Sequence, residues 1–290
     1  MEDTEKQLKI VIAFTGFILI VEVIGGVISN SLALLSDAAH VFSDVIALTF
    51  SFLALRLAMK PASTSRTFGY HRAEVFAALA NGIILLVVSL FIFKEAYVRL
   101  STPPEIKTTE MLLVAVFGLL VNLWVALRLR GHAHDDLNIK SAFLHVVGDA
   151  LASLGVIVGA IVIIFTGNTL ADPIVSVLIG SIIIVGSLRV TREAVYILFE
   201  STPRDVDLEH VSSVILGVPG VKSVHDLHIW SICSHINAAS AHINVGDMKM
   251  SEVGEISKTI EDKMGALKIN HTTFQFECSE DGGSCDINHG

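Results

Sequence analysis

The sequence predicts a membrane domain of six helices followed by a small α+β domain. The 290-residue chain is 52% hydrophobic and 17% charged, whereas a typical soluble domain has about 25% charged residues. The apolar residues are concentrated in positions 1–200, in runs of about 20 residues, the length that crosses a bilayer. Residues 201–290 are polar and acidic, with short helix-like and strand-like segments.

Six apolar runs, bounded by charged or turn residues, are predicted to span the membrane. Their approximate bounds are 8–28, 32–57, 73–96, 111–129, 139–165 and 170–198. Lys and Arg are concentrated after the second, fourth and sixth runs and are absent from the first and fifth links, although the third link departs from this pattern. Because cytosolic loops carry the excess of Lys and Arg, both termini are predicted to lie in the cytosol.

The C-terminal part changes to an α-β-β-α-β pattern. Its predicted elements are a helix over 206–216, strands over 221–232 and 236–245, a helix over 251–267 and a strand over 268–276. This order is typical of a ferredoxin-like α+β domain. We therefore predict a six-span transmembrane domain over 1–200 and a cytosolic domain over 201–290, whose tail (279–290) is expected to be disordered.

The same pair of residues occurs in two of the apolar runs. His40 and Asp44 lie in the second run and His145 and Asp149 in the fifth, and the i, i+4 spacing puts each pair on one helix face. An ionised residue in mid-membrane costs roughly 2.5–3.5 kcal/mol on insertion scales. Two imidazoles and two carboxylates suit a tetrahedral Zn²⁺ site, so we predict one shared metal site.

Other polar residues in the apolar runs have structural explanations. Asp37 lies on the face of His40 and Asp44, where it caps a helix, shapes an entrance, binds protons or, as a weaker alternative, ligates metal. Four further polar residues lie in the apolar runs: Glu22, Asn81, Asn122 and Ser153. Each is expected to form an interhelical hydrogen bond, and the alternative is that it lines the transport pathway.

Five segments of the chain are shared with a known family. They are SLALLSDAAHVFSD at 31–44, FGYHRAE at 68–74, HVVGD at 145–149, VHDLHIW at 224–230 and HTTFQFE at 271–277. With these segments, nearly the whole chain resembles the cation diffusion facilitator family, in its zinc-transporting branch. The resemblance implies a homodimer that exports Zn²⁺ from the cytosol in exchange for H⁺, with a transport site formed by His40, Asp44, His145 and Asp149. Family members with Asp in place of His40 accept a wider range of metals, so His40 favours zinc.

A coupling mechanism follows from the residue types alone. Metal binding requires neutral imidazoles and ionised carboxylates, so binding expels protons. Histidine titrates near neutral pH, so protons on the far side can displace the metal. A bundle that exposes the site alternately to each face would therefore exchange Zn²⁺ for H⁺.

The resemblance also implies a zinc site in the cytosolic domain. It places His225, His242 and His271 at ligand positions, and an acid (Asp226 or Glu277) or a cysteine would complete the set. Cys278 and Cys285 are candidate tail ligands, and His71 is a candidate partner of His271. Packing is expected for Cys233, His228 and Trp230. Such a site would make the domain a sensor of cytosolic zinc.

A short polar cluster separates the fourth and fifth runs. It contains His132, His134, Asp135 and Asp136. A solvated loop and weak capture of metal near the entrance both explain it.

Other functions would require other residue patterns. An exporter of another divalent metal (Cd²⁺, Co²⁺, Mn²⁺ or Fe²⁺) on the same fold is the first alternative, although two His residues suit Zn²⁺ better than hard Mn²⁺. A membrane-anchored metal sensor is the second, but it would not need buried His–Asp pairs. An intramembrane metalloprotease requires HExxH, which the sequence lacks, and no nucleophile constellation or phosphate loop indicates another enzyme. No basic patch indicates nucleic-acid binding. The compact chain points to a bacterial or archaeal inner membrane.

Overall fold

The computed structural model describes residues 2–58, 60–130 and 137–278. In chain order its elements are α1 (Glu2–Ser29), α2 (Leu32–Ala58), α3 (Ala73–Ser101), α4 (Thr108–Arg130), α5 (Leu137–Thr166), α6 (Ala171–Leu198), α7 (Leu208–Leu216), β1 (Ser223–Cys233), β2 (Ile236–Asn244), α8 (Met250–Ala266) and β3 (Ile269–Glu277). Outside the described residues lie the predicted loop cluster (His132, His134, Asp135 and Asp136), Cys285 and the tail over 279–290.

The chain divides into two compact units. One comprises Met1–Phe52 and Ala78–Thr191, and the other comprises Leu53–Ala77 and Arg192–Gly290. The division assigns the link between α2 and α3 to the unit that contains the sheet. The predicted boundary between residues 200 and 201 remains a prediction.

Four helices of the described chain are long and apolar enough to cross a membrane. They are Ala73–Ser101, Thr108–Leu129, His145–Thr166 and Ala171–Leu198, with mean hydropathies between 2.1 and 2.6. Large apolar side chains project from them into the surroundings: Leu90, Leu113 and Ile182 are each more than 60% exposed. Such faces are stable in lipid rather than in water. The protein is therefore a multi-pass membrane protein.

The interior of the helical unit is built on close helix packing. α4 packs along α5 and α1, and Met111, Val156 and Ala160 are buried in a shared core. α1 approaches α4 closely at Gly25, where an added Cβ atom would lie 2.5 Å from a methyl group of Val114. A glycine is therefore required at this contact.

The described part of the second unit contains a three-stranded mixed sheet and the helices α7 and α8. The strand order is β1-β2-β3, with β1 antiparallel to β2 and β2 parallel to β3. α8 buries Val253, Ile256, Ile260 and Met264, and this i, i+3, i+4 spacing gives one apolar stripe. Together with Ile243 of β2, these residues form a single core.

The predicted elements of this unit agree with the structure. The order α-β-β-α-β is present, and the bounds of the five elements lie within two residues of those predicted. Apolar alternation and the breaker at 217–220 were sufficient signals. The pairing of β2 with β3 was not evident from the sequence, because it joins residues about 30 positions apart.

Candidate metal centres

Two helices carry the four predicted ligands of the membrane site. α2 carries His40 and Asp44, and α5 carries His145 and Asp149. Asp149 is the most buried, with 4% of its side chain exposed, whereas Asp44 and the two histidines are 26–33% exposed. The four side chains therefore lie in the helical unit, with Asp149 buried and the other three partly exposed.

Each histidine faces a carboxylate of the other helix. His40 Nε2 lies 3.8 Å from Asp149 Oδ1, and His145 Nε2 lies 3.7 Å from Asp44 Oδ2 and 3.6 Å from Asp149 Oδ2. The two imidazole rings are 6.5 Å apart, centre to centre. Single ligand atoms of His40, Asp44 and Asp149 lie within 4.8 Å of one another. The structure thus brings all four predicted residues together.

These separations are close to those that a tetrahedral metal needs. With bonds of about 2.0–2.1 Å, the ligand atoms of tetrahedral zinc lie about 3.3 Å apart. Asp44 Oδ2 and Asp149 Oδ1 are buried and have no hydrogen-bond partner among the described residues. Unpartnered buried oxygens are costly unless they meet a proton or a cation. The arrangement can therefore bind a divalent cation with little movement of its ligands.

Asp37 is not a member of the group whose ligand atoms lie within 4.8 Å of one another. It is 1% exposed, and its Oδ2 accepts a hydrogen bond from Ser153 Oγ at 3.4 Å. Glu22 is 2% exposed, and its Oε1 would lie 3.2 Å from a Cβ atom added at Gly118. Asn81 and Asn122 are also buried. The interhelical hydrogen bond predicted for Ser153 is present, with Asp37 as the acceptor.

The sheet carries a second group of possible ligands. His225 of β1 pairs directly with His242 of β2, and Glu277 ends β3. His225 Nε2 lies 3.4 Å from Glu277 Oε2, and His242 Nδ1 lies 2.9 Å from Glu277 Oε1. His225 Nε2, His242 Nδ1 and Glu277 Oε2 are buried without an aligned hydrogen bond within the described chain. The three side chains can therefore hold one cation, and Glu277 is the acid that contacts both imidazoles.

A β-bulge adds a further carboxylate to this group. The register shifts between His225 and His228, and Asp226 adopts a φ of 53°. Asp226 Oδ2 lies 3.8 Å from His242 Nε2, and Asp226 Oδ1 lies 2.9 Å from His228 Nε2. A bulge reorients a side chain in this way. His228 is thus exposed and paired with an acid, whereas packing was expected.

The structure does not bring His271 to this group. Its partner in the sheet register is Ala238, whereas His242 is level with Gln275. The His271 ring instead contacts Phe68, with ring centres 5.4 Å apart. His271 and His71 line one cavity of about 480 Å³, and their pairing as metal ligands stays a prediction.

The cysteines are placed differently from one another. Cys233 is buried, and Cys278 is exposed next to Glu277. Cys285 falls in the part of the chain that the structure does not describe.

Comparison with known proteins identifies the family of the chain. The family model described as Cation efflux transmembrane domain matches residues 8–199, and that described as Cation efflux protein, cytoplasmic domain matches residues 203–278. Together they match more than half of the chain.

Three relatives cover most of the chain. The cadmium, cobalt and zinc/H(+)-K(+) antiporter of Bacillus velezensis is 44% identical over 270 residues, 92% of this chain and 86% of the relative. The metal cation efflux system protein CzcD of Cupriavidus metallidurans is 43% identical over 277 residues, 94% of this chain and 86% of the relative. The zinc transporter ZitB of Escherichia coli is 33% identical over 300 residues, 100% of this chain and 93% of the relative. The chain therefore belongs to the cation diffusion facilitators, the cation efflux family, in the zinc-transporting branch.

Proposed function

We propose that this protein exports Zn²⁺ from the cytosol in exchange for H⁺ by alternating access, with His40, Asp44, His145 and Asp149 as the transport ligands. The observation that carries the proposal is the convergence of two imidazoles and two carboxylates at 3.6–3.8 Å inside the helical unit. Two His and two Asp suit tetrahedral zinc. The printed names of the relatives, which include zinc transporters and zinc/H⁺ antiporters, support the same substrate.

The coupling rests on competition between protons and metal for the same atoms. Zinc requires neutral imidazoles and ionised carboxylates, so it displaces protons on binding and is displaced where protons are abundant. His40 and His145 supply imidazoles that bind either a proton or the metal, but not both through the same nitrogen. The protein then carries metal one way and protons the other without a covalent step, which makes it a transporter and not an enzyme.

The proposal includes an architecture. All six helices α1 to α6 cross the membrane, both termini lie in the cytosol, and two copies form a homodimer in a bacterial or archaeal inner membrane. The C-terminal domain is of the ferredoxin-like αββαβ type. The match of residues 203–278 to the cytoplasmic domain of cation efflux proteins supports this placement of the C-terminal domain.

The test of transport is zinc flux into proteoliposomes under an imposed pH gradient. We expect gradient-dependent flux in the wild type and its loss in Asp149→Ala. Ser89→Ala is the matched control, because it removes a fully buried polar group of α3 that is remote in sequence from the four ligands. If the wild type shows no flux but His225, His242 and Glu277 still bind zinc tightly, the protein is a membrane-bound metal sensor and not a transporter.

A broader metal range is the second candidate. Relatives of two Bacillus species are named cadmium, cobalt and zinc/H(+)-K(+) antiporters. Competition of Cd²⁺ and Co²⁺ with Zn²⁺ in the flux assay tests the metal range. Repeating the assay with and without K⁺ in the vesicles tests whether K⁺ serves as a counter-ion. Inhibition by Cd²⁺ or Co²⁺ together with their own uptake would establish the broader range.

We propose that His225, His242 and Glu277 form a regulatory zinc site. Glu277 contacts both histidines, so Glu277→Gln should weaken zinc binding at this site at least about tenfold. Calorimetry on the full chain carrying Asp149→Ala isolates this site from the transport site. Asp262→Asn, on the solvent-facing side of α8, is the matched control. Unchanged affinity in Glu277→Gln would remove Glu277 from the ligand set.

A further inference from the structure

The corner between α1 and α2 is held by charged and polar side chains from two other helices. Asp172 of α6 and Ser31 are completely buried, and Arg99 of α3 is 9% exposed. We call Asn30, Ser31, Arg99 and Asp172 the corner clasp. None of these four residues belongs to either metal group.

Asp172 caps the N-terminus of a helix to which it does not belong. Its Oδ2 accepts from the backbone N–H of Leu32 at 2.8 Å, and its Oδ1 accepts from that of Ala33 at 3.1 Å and from Ser31 Oγ–H at 2.6 Å. Ser31 Oγ in turn accepts from the N–H of Leu34 at 3.2 Å. The first N–H groups of a helix have no partner within it. Here the first three are satisfied by Ser31 and Asp172, and the carboxylate also meets the positive end of the helix dipole.

Arg99 fixes the same corner from a third helix. Its Nη1 donates to the carbonyl of Asn30 at 2.7 Å, and its Nη2 donates to Asn30 Oδ1 at 3.1 Å. Nη1 also lies 3.7 Å from Asp172 Oδ2, so the buried carboxylate has a charge partner. Asn30 has a φ of 57° and donates from Nδ2 to the carbonyl of Glu105 at 3.2 Å. The corner is thereby bound to α3, to α6 and to the link before α4.

The anchored helix is the one that carries half of the proposed transport site. His40 and Asp44 lie eight and twelve residues after Leu32, or about 12 Å and 18 Å along the axis at 1.5 Å per residue. A rotation of about 10° around the anchored end would displace Asp44 by about 3 Å. That displacement is comparable with the 3.6–3.8 Å between the facing ligand atoms, so a small tilt is enough to assemble or open the site.

We propose that the corner clasp is the fixed pivot about which α2 turns during exchange, and that Asp172 is the positioning residue of this pivot. The inference rests on the proposed function, because it concerns the motion that exposes the transport site to each side. Because the clasp accepts hydrogen bonds from the first three N–H groups of α2, that end stays in place while the ligand-bearing part moves. The clasp therefore remains closed in every state of the cycle, in contrast to a gate, which would have to open.

The first test separates turnover from binding. In proteoliposomes of the full chain, Asp172→Asn should lower the maximal zinc flux at least tenfold, with the KM for zinc and the equilibrium zinc affinity within threefold of the wild type. Ser176→Ala is the matched control: Ser176 is fully buried one turn along α6 but donates to the backbone carbonyl of Asp172 and not to its carboxylate. Normal maximal flux in Asp172→Asn, or a loss confined to KM and affinity, would overturn the pivot.

The second test replaces the clasp by a covalent bond. Ser31→Cys and Asp172→Cys are combined in a chain whose three native cysteines are changed to serine. If the clasp is a pivot, zinc flux should be slow when this variant is reduced. On oxidation, flux should recover to at least half of that of the parent chain without cysteines. The disulfide should form in equal yield in metal-free and zinc-loaded protein. Flux that is low in both states, flux that stops only on oxidation, or a disulfide that does not form would each overturn the proposal. Failure of the proposed function itself is distinguishable, because the parent chain would then show no zinc flux.

Discussion

The donor atoms of individual residues decide which metal the membrane site favours. His40 and His145 contribute nitrogen and Asp44 and Asp149 contribute oxygen, with each histidine facing a carboxylate of the other helix. Imidazole suits Zn²⁺, whereas all-oxygen sites suit Mn²⁺ and Mg²⁺. Preference for zinc at this site therefore depends on single side chains and not on the shape of the bundle.

Replacing His40 tests this dependence. His40→Asp makes the site three carboxylates and one imidazole, so the preference for Zn²⁺ over Mn²⁺ should fall at least about tenfold. Competition between the two ions in the flux assay measures the ratio. The same substitution at the exposed His235 is the control and should leave the ratio unchanged. An unaltered ratio in His40→Asp would show that selectivity arises elsewhere.

At the scale of single elements, the sequence predicted which side chains are neighbours within one helix or strand, but not which residues of the adjacent strand lie beside them. The i, i+4 spacing placed His40 beside Asp44 and His145 beside Asp149, because it depends only on helical pitch. The cytosolic ligands depend on strand register. His271, Gln275 and Glu277 share one face of β3, since side chains alternate with period two. Only the register puts Gln275 level with His242 and Glu277 two residue pairs further along, level with Asn244. Period-two alternation alone therefore could not show that Glu277, and not His271, lies beside His225 and His242.

Helix packing gives a prediction at the same scale. Gly25→Ala places a Cβ atom 2.5 Å from Val114, so overpacking should destabilise the protein by roughly 1–3 kcal/mol. Gly16→Ala is the matched control in the same helix, because nothing lies within 4 Å of its added Cβ atom; it should be neutral or stabilising, since alanine has the higher helix propensity. Thermal unfolding in detergent measures both.

A compensating change makes the packing prediction more specific. Val114→Ala removes the methyl groups that the new Cβ atom would meet. The double variant Gly25→Ala/Val114→Ala should therefore recover part of the stability that Gly25→Ala loses. If the two changes are simply additive, the close approach of α1 to α4 at this point is not the cause of the loss.

At the scale of the whole molecule, hydropathy predicted the class of protein, whereas long-range contacts were accessible only from the structure. Runs of apolar residues revealed a membrane domain because a bilayer imposes a fixed length on each span. The contact between Asp172 and the start of α2 joins residues 140 positions apart. Asp172 opens an apolar run next to a proline, which gives no local signal of its partner, and the clasp was accordingly not predicted.

Coupling of zinc to protons is likewise a property of the assembled site and gives the last prediction. Because zinc binds neutral imidazole and ionised carboxylate, loading the transport site should release protons. More of them should be released at pH 6 than at pH 8, because more of the ligand groups carry a proton when protons are abundant. Proton release into weakly buffered solution, measured with a pH dye on the full chain carrying His225→Ala and His242→Ala, isolates the transport site from the sheet group. Adding Asp149→Ala should abolish most of the release. If the number of protons released per zinc is equal at pH 6 and pH 8, the imidazoles do not carry the exchanged protons, and the buried acids Glu22 and Asp37 become the groups to test.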